Sequence, residues 1–305
     1  MLETTGSGAR AVHVTAFGMS DVGRVRKNNE DSFAIADLTS GEAGGAASFS
    51  GQEMGPLGAL FMVADGMGGE AGGEVASSLA TATVPARLHE NLKSLGNLSR
   101  ENFVILLREA IEYANQVILE KASTNPACRG MGTTTTAAAL FGQHVYVAQV
   151  GDSRCYLIRE RKLARMTRDQ TFLNYLKDIG AVLPGDPEKD SRKSILTQAV
   201  GTSEALDVKI TYAPLSQGDL LVVCCDGLYN MIPEAELLES ASGAGELPAR
   251  CKTLIDRANA NGGTDNITVI LAQFSGGGLP AADPAAAIEC KEFEADEMPN
   301  MRGSE

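Results

Sequence analysis

The run Phe61-Met62-Val63-Ala64 leads directly into Asp65-Gly66-Met67-Gly68-Gly69, and Leu220-Leu221-Val222-Val223-Cys224-Cys225 leads in the same way into Asp226-Gly227. Short apolar runs bounded by turn residues read as buried strands. Here each run stops at a carboxylate followed by glycine, which lets the chain turn sharply and lets bare backbone approach a ligand. A third carboxylate, Asp265, opens the strand-like run Asn266-Ile267-Thr268-Val269-Ile270. The chain therefore calls for a strand-rich core with acids gathered at strand ends. With only three histidines in the chain, the available ligands are oxygens, which suit hard divalent ions such as Mg²⁺ and Mn²⁺. One Asp-Gly after a strand also reads as a plain turn. A second, together with Thr264-Asp265-Asn266, moves the balance toward metal.

At 305 residues the chain is one large domain or two small ones. Its 44% hydrophobic content is ample for a core, and 5% aromatic with no Trp implies packing by Val, Leu, Ala and Met. A formal charge of −13 with no long basic run argues against a nucleic-acid partner. Bound cations would offset part of that charge. Cys128, Cys155, Cys224, Cys225, Cys251 and Cys290 form no CxxC pair and no framework spacing. Cys224 and Cys225, inside an apolar run, read as small buried hydrophobes. Reduced thiols fit a cytoplasmic setting better than secretion. No segment has the length of a membrane span, and the first ten residues lack a signal peptide's apolar region. The expectation is a soluble, monomeric cytoplasmic protein with no membrane partner.

Residues 1–10 are expected as a flexible N-terminus, 11–275 as one domain and 276–305 as a disordered acidic tail. Strands are expected at the start of 11–37 and at Asp31–Ala36, with a turn at Ser20–Asn29 between them. The Gly-, Ala- and Ser-rich stretch 38–57 reads as an exposed loop, and Gly58–Ala64 as a strand. Ala71–Asn91 and Arg100–Ala122 have helical spacing, as in Phe103, Leu106, Leu107, Ile111 and Ala114, and should form an antiparallel pair. A strand-rich half follows: Thr133–Phe141, His144–Val150, Arg154–Arg159 and Leu163–Met166, with Gly142-Gln143 as a hairpin link. Asp169–Gly180 reads as a short helix and Ala181–Ser194 as a mobile flap, the flap region spanning 170–194. Strands at Asp207–Tyr212 and Asp219–Cys225, helices around Pro233–Ser240 and Glu246–Asn261, and a last strand Asn266–Phe274 complete the core. The predicted class is α+β, a four-layer αββα sandwich of two mainly antiparallel sheets flanked by helix pairs.

A second constellation, Asp21-Val22-Gly23-Arg24-Val25-Arg26-Lys27-Asn28-Asn29-Glu30-Asp31, sets cations a few residues from two carboxylates. Arginine suits a bidentate grip on phosphate, and carboxylates suit the holding of metal-bound waters. Alone, the stretch also reads as a mixed-charge turn. Thr133–Thr136 reads as a strand with one buried face rather than a source of nucleophilic hydroxyls. Gly72-Gly73 reads as a site of close helix packing.

Taken together, these pieces resemble the bacterial metal-dependent Ser/Thr protein phosphatases of the type 2C (PPM) family. The resemblance rests on Asp21–Asp31 (D-x-G-x-x-R-x-x-N-E-D), Asp65–Gly69 (D-G-M-G-G), Gly132–Thr134, Gly151–Arg154 (G-D-S-R), Leu196–Gly201, Asp226-Gly227-Leu228 and Asp265-Asn266, in family order. It implies hydrolysis of phosphoserine and phosphothreonine on proteins by a water activated between two Mn²⁺ or Mg²⁺ ions, opposing Ser/Thr kinases. It further implies that Asp65 bridges the ions, that the Gly66 carbonyl ligates one, and that Asp226 and Asp265 complete the other. Glu30 and Asp31 would hold metal-bound waters or touch an ion directly, Arg26 would grip the phosphate, and Asp152 would help bind a third ion. Asp152 reads equally as part of a strand-to-strand turn.

Three departures from the family pattern stand out. Met67 replaces a histidine seen in many eukaryotic members, Gln170 replaces a common histidine, and Ala181–Ser194 lacks a His-Pro-x-Arg run, with Arg192 a stand-in for that arginine. Two rival functions share the motifs: a catalytically weak phosphoprotein-binding regulator, and a hydrolase of small phosphate esters on the same fold.

Overall fold

The computed structural model describes residues 11–44, 48–68, 72–96, 98–181, 192 and 195–293. The chain lays down β1 (His13–Asp21), β2 (Asp31–Asp37), β3 (Ala43–Gly44), β4 (Phe49–Glu53) and β5 (Ala59–Met67), then the long helices α1 (Gly72–Ser94) and α2 (Arg100–Thr124). Next come β6 (Gly132–Thr133), β7 (Thr135–Phe141), β8 (His144–Val150), β9 (Arg154–Arg159), β10 (Lys162–Arg165) and the short helix α3 (Phe172–Asp178). The last part holds β11 (Lys209–Pro214), β12 (Leu220–Cys224), α4 (Asp226–Tyr229), α5 (Glu234–Ala241), α6 (Leu247–Ala260), β13 (Ile267–Ser275) and β14 (Lys291–Glu292). One sheet runs β10-β9-β12-β13-β1-β4; the other runs β14-β11-β8-β7-β5-β2-β3, with β6 attached to β5. Every pairing between these strands is antiparallel.

Side chains alternate across a strand, and here both faces of the central strands are covered. In β5, Leu60, Met62 and Ala64 pack beneath α1 and α2 with Leu88, Phe103 and Leu107. Phe61 and Val63 point the other way, into the layer between the sheets with Ile35, Val147, Val223 and Phe274. In β12, Leu221 and Val223 face the same inner layer, while Leu220, Val222 and Cys224 pack against Leu254 and Ile255 of α6. Burial on both faces explains why these strands read as unbroken apolar runs. The result is the four-layer αββα sandwich. Helix α2 starts where Ser99 Oγ accepts the Asn102 N–H at 3.2 Å, which satisfies one of the free amides of its first turn.

Several boundaries differ from the sequence reading. Segment 38–57 is not simply an exposed loop: it supplies β3 to one sheet and β4 to the other, and Leu38 and Phe49 are buried. Residues 276–293 are not a disordered tail. Leu279 and Phe293 are buried, and β14 pairs with β11, Phe293 donating its N–H to the Ile210 carbonyl at 2.8 Å. Residues 1–10 and 294–305 lie outside the described residues, as do 182–191 and 193–194 of the expected flap. Within the flap region α3 begins later than expected, because Thr171 caps it by accepting from Asn174 N. Asp65-Gly66 does not end its strand, since β5 continues to Met67, and Asp226 opens a helix rather than closing β12. Among the described residues, no helix is long and apolar enough to cross a membrane.

Candidate active site

Strand parity builds the site. Two positions past Val63 comes Asp65, and two past Val223 comes Cys225, so both reach the end of the layer between the sheets. Asp31, with Phe33 and Ile35 on the same side of β2, sits directly opposite Asp65 in the β2–β5 register. Like charges facing each other across a strand pair repel. Asp31, Asp65 and Cys225 each present a ligand atom, all within 4.8 Å of one another. Buried hydroxyls hold this corner: Asp65 N–H donates to Thr134 Oγ1 at 2.9 Å, Thr133 Oγ1 donates to the Asp65 carbonyl at 2.9 Å, and Thr134 Oγ1 bonds Ser153 Oγ at 2.7 Å.

Glycines let the other pieces close in. Gly66 donates its N–H to the Glu30 carbonyl at 3.1 Å, and a Cβ on Gly66 would lie 2.2 Å from the Gly73 carbonyl oxygen. The first turn of α1 therefore rests on bare strand backbone. A Cβ on Gly73 would in turn lie 2.6 Å from the Glu30 carboxylate. Gly227 allows the same approach for α4, because a Cβ there would meet the Asn266 carbonyl at 2.0 Å, and this brings Asp226 beside Asp265.

The loop carrying Arg26, Glu30 and Asp31 is strapped down by Asn266. Asn266 Oδ1 accepts the Glu30 N–H at 2.8 Å, while its Nδ2 donates to the carbonyls of Val22 at 3.0 Å and Asn28 at 2.9 Å. Arg26 thereby reaches Asp265, to which it donates at 2.6 Å. Asp152 is buried in the turn after β8. Its carbonyl accepts from Tyr229 OH at 3.1 Å, and the preceding Gly151 N–H donates to Gln170 Oε1 at 2.7 Å. Arg154, which opens β9 just after this turn, is held by Asp169 at 2.7 Å and lies 3.6 Å above the Tyr229 ring.

The charge balance is strongly negative. Burial, then the nearby Asp226 and Asp265 charges, push the Asp31 carboxyl up to about 7 against relief from Thr268 and Cys225. Asp65 is held well above the usual carboxylate range by burial and by Asp31, Asp226, Asp152 and Asp265. Burial and Asp226 raise Asp152 to about 7, burial and Asp265 raise Asp226 to about 6, and burial raises Glu30. Each raised value means that the metal-free cluster favours protons. The Asp31 Oδ2 atom is buried without a hydrogen-bond partner. Converging carboxylates with an unsatisfied buried oxygen are a donor set fitted to hard divalent cations.

The structure thus gathers Asp31, Asp65, Asp152, Asp226 and Asp265 at one end of the sandwich, with Glu30 and Gly66 packed against each other beside them. Arg26 is present but engaged with Asp265. Sequence reasoning placed Thr134, Ser153 and Asn266 within motifs and noted Gln170 as a departure, but it gave neither them nor Cys225 a role in this site. Of these, Ser153, Asn266 and Cys225 had a signal, since each adjoins a predicted ligand.

Residues 53–244 match the protein phosphatase 2C family model. The chain belongs to that family. It is 34% identical over 254 residues to the serine/threonine phosphatase Stp of Listeria monocytogenes, covering 83% of this chain and 93% of that protein. The S. agalactiae serine/threonine phosphatase structure superposes with a TM-score of 0.72 at 28% identity, covering 85% of this chain and 99% of that one. The catalytic domain of the phosphatase PstP, solved in complex with two manganese ions, gives a TM-score of 0.68 at 31% identity, with 87% and 99% covered. In this protein phosphatase 2C chain, the acidic end of the sandwich is the candidate active site.

Proposed function

We propose that the chain is a Ser/Thr protein phosphatase in which Asp65, Gly66, Asp226 and Asp265 hold two Mn²⁺ or Mg²⁺ ions. Asp152 offers a place for a third. The observation that carries this reading is the convergence of Asp31, Asp65, Asp226 and Asp265 around a buried, unpartnered carboxylate oxygen. Bound divalent ions would supply Lewis acidity and lower the pKa of a water that attacks phosphorus.

The side chains then divide the remaining work. Arg26 exchanges Asp265 for the non-bridging oxygens of the substrate phosphate, a charge-assisted contact suited to its fork of donors. Glu30 and Asp31 accept hydrogen bonds from waters at the cluster and so orient them. Met67, exposed at the end of β5, has no proton to give, so water in the mouth protonates the departing serine or threonine oxygen. No histidine takes part. His13 opens β1, His144 opens β8, and His89 bonds the Leu38 carbonyl just past β2, all at the strand ends opposite the acids.

Within a reducing cytoplasm such a monomer would reverse the action of a Ser/Thr kinase on its protein substrates. The retained carboxylates favour turnover over a purely binding role. The test compares kcat/KM on phosphoserine and phosphothreonine peptides with that on nucleotides and p-nitrophenyl phosphate, with Mn²⁺ and with EDTA. The peptides should be preferred and EDTA should stop all turnover. Turnover that survives EDTA, or a preference for nucleotides, would overturn the assignment.

A further inference from the structure

Cys225 is the component of the acidic corner that hard-ion chemistry does not use. Its neighbour Cys224 faces outward into the core beneath α6. Cys225 faces inward at the end of the layer between the sheets, a free and buried thiol. Its sulfur lies within 4.8 Å of carboxylate oxygens of both Asp31 and Asp65. The Asp31 Oδ2 atom beside it is buried and lacks a hydrogen-bond partner. A tetrahedral ion with oxygen and sulfur ligands at about 2.0–2.3 Å separates its ligand atoms by roughly 3.3–3.8 Å. The three atoms already lie within 4.8 Å of one another, and a bound ion would hold them at that tetrahedral spacing.

We propose that Cys225, Asp31 and Asp65 form a mixed sulfur–oxygen site for a thiophilic divalent ion such as Zn²⁺ or Cd²⁺, which competes with the hard ions at this centre. The competition rests on the assignment of Asp65 as a ligand of those ions. Soft thiolate draws Zn²⁺ and Cd²⁺ more strongly than Mg²⁺ or Mn²⁺, so a single sulfur at this corner changes which ion holds it. As the metal–sulfur bond forms, the thiol proton leaves to solvent, and no electron is transferred. Ser153 supports the geometry from below, since its hydroxyl is tied to Thr134 at 2.7 Å and Thr134 in turn holds the Asp65 amide. A soft ion seated here would occupy Asp65 and silence the site.

The test uses the full chain, stripped of metal and titrated with Cd²⁺ under reducing conditions. The ultraviolet thiolate-to-cadmium charge-transfer band reports the sulfur bond, and the electron-spin resonance signal of free Mn²⁺ reports displacement. Wild type should develop the band as Cd²⁺ binds and should release Mn²⁺ in step. Cys225→Ser and Cys225→Ala should lose the band and bind Cd²⁺ about tenfold or more weakly while still binding Mn²⁺. A wild type without the band, or a Cys225→Ser variant that keeps it at full strength, overturns the proposal even if Mn²⁺ binds normally. A wild type that shows the band but binds no Mn²⁺ supports the sulfur site and instead refutes the hard-ion assignment.

Discussion

Arg26 and Asp265 pair at 2.6 Å, yet their side chains remain 54% and 33% exposed. An ion pair that open to water contributes only about 0–1 kcal/mol, so a dianionic phosphate can draw the guanidinium away. Arg26→Ala should lower kcat/KM on a phosphopeptide about 10–100-fold, chiefly through KM, the scale of one lost charge-assisted bond. Mn²⁺ stoichiometry, read by calorimetry, should not change; loss of bound Mn²⁺ would show that the arginine instead holds the ligands in place. Asp65 and Asp226 were legible in the sequence because an acid beside glycine interrupts an apolar run. Asn266 and Thr134 were legible only as members of motifs, not as the residues that position the site. Asn266 acts on Glu30 across 236 positions, and a neutral polar residue just outside a strand carries no local mark of such a contact.

Close approach of α1 to β5 depends on Gly66, where a Cβ would fall 2.2 Å from the Gly73 carbonyl oxygen. Gly66→Ala must shift helix or strand, and overpacking of this kind costs about 1–3 kcal/mol. A lower Tm together with weaker Mn²⁺ binding is expected, because Asp65 and Glu30 move with those elements. An unchanged Tm and unchanged Mn²⁺ affinity would mean the contact is slack. The central strands and long helices were readable from apolar runs and helical spacing, and the sandwich followed from them. The edge strands β3, β4 and β14 were not. β4 buries only Phe49 of its five residues, and β14 is a bare Lys-Glu pair, so each is set by its partner strand rather than by its own pattern. Phe293, buried just past β14, drew its place from the β11 edge in the same way.

The molecule as a whole carries a formal charge of −13, and part of that excess converges on one point. Asp31 and Asp152 titrate near 7 in the metal-free fold, above the unfolded carboxylate value of about 4. Between those values the folded chain binds more protons than the unfolded one, so metal-free stability falls as pH rises through that window and levels off above it. Divalent ions need the same carboxylates deprotonated, so their stabilisation grows in the opposite sense. The rise in Tm caused by Mn²⁺ should be larger at about pH 8 than at about pH 5.5. A rise that is equal at both, or larger in acid, would place the ions elsewhere. The most direct test of the two-ion account is phosphopeptide turnover as a function of Mn²⁺ for wild type and Asp65→Asn, which keeps the side-chain shape but removes the charge. Wild-type turnover should be absent in EDTA and rise to saturation with Mn²⁺, while Asp65→Asn stays at background at every concentration. An Asp65→Asn curve that follows the wild type would contradict the account.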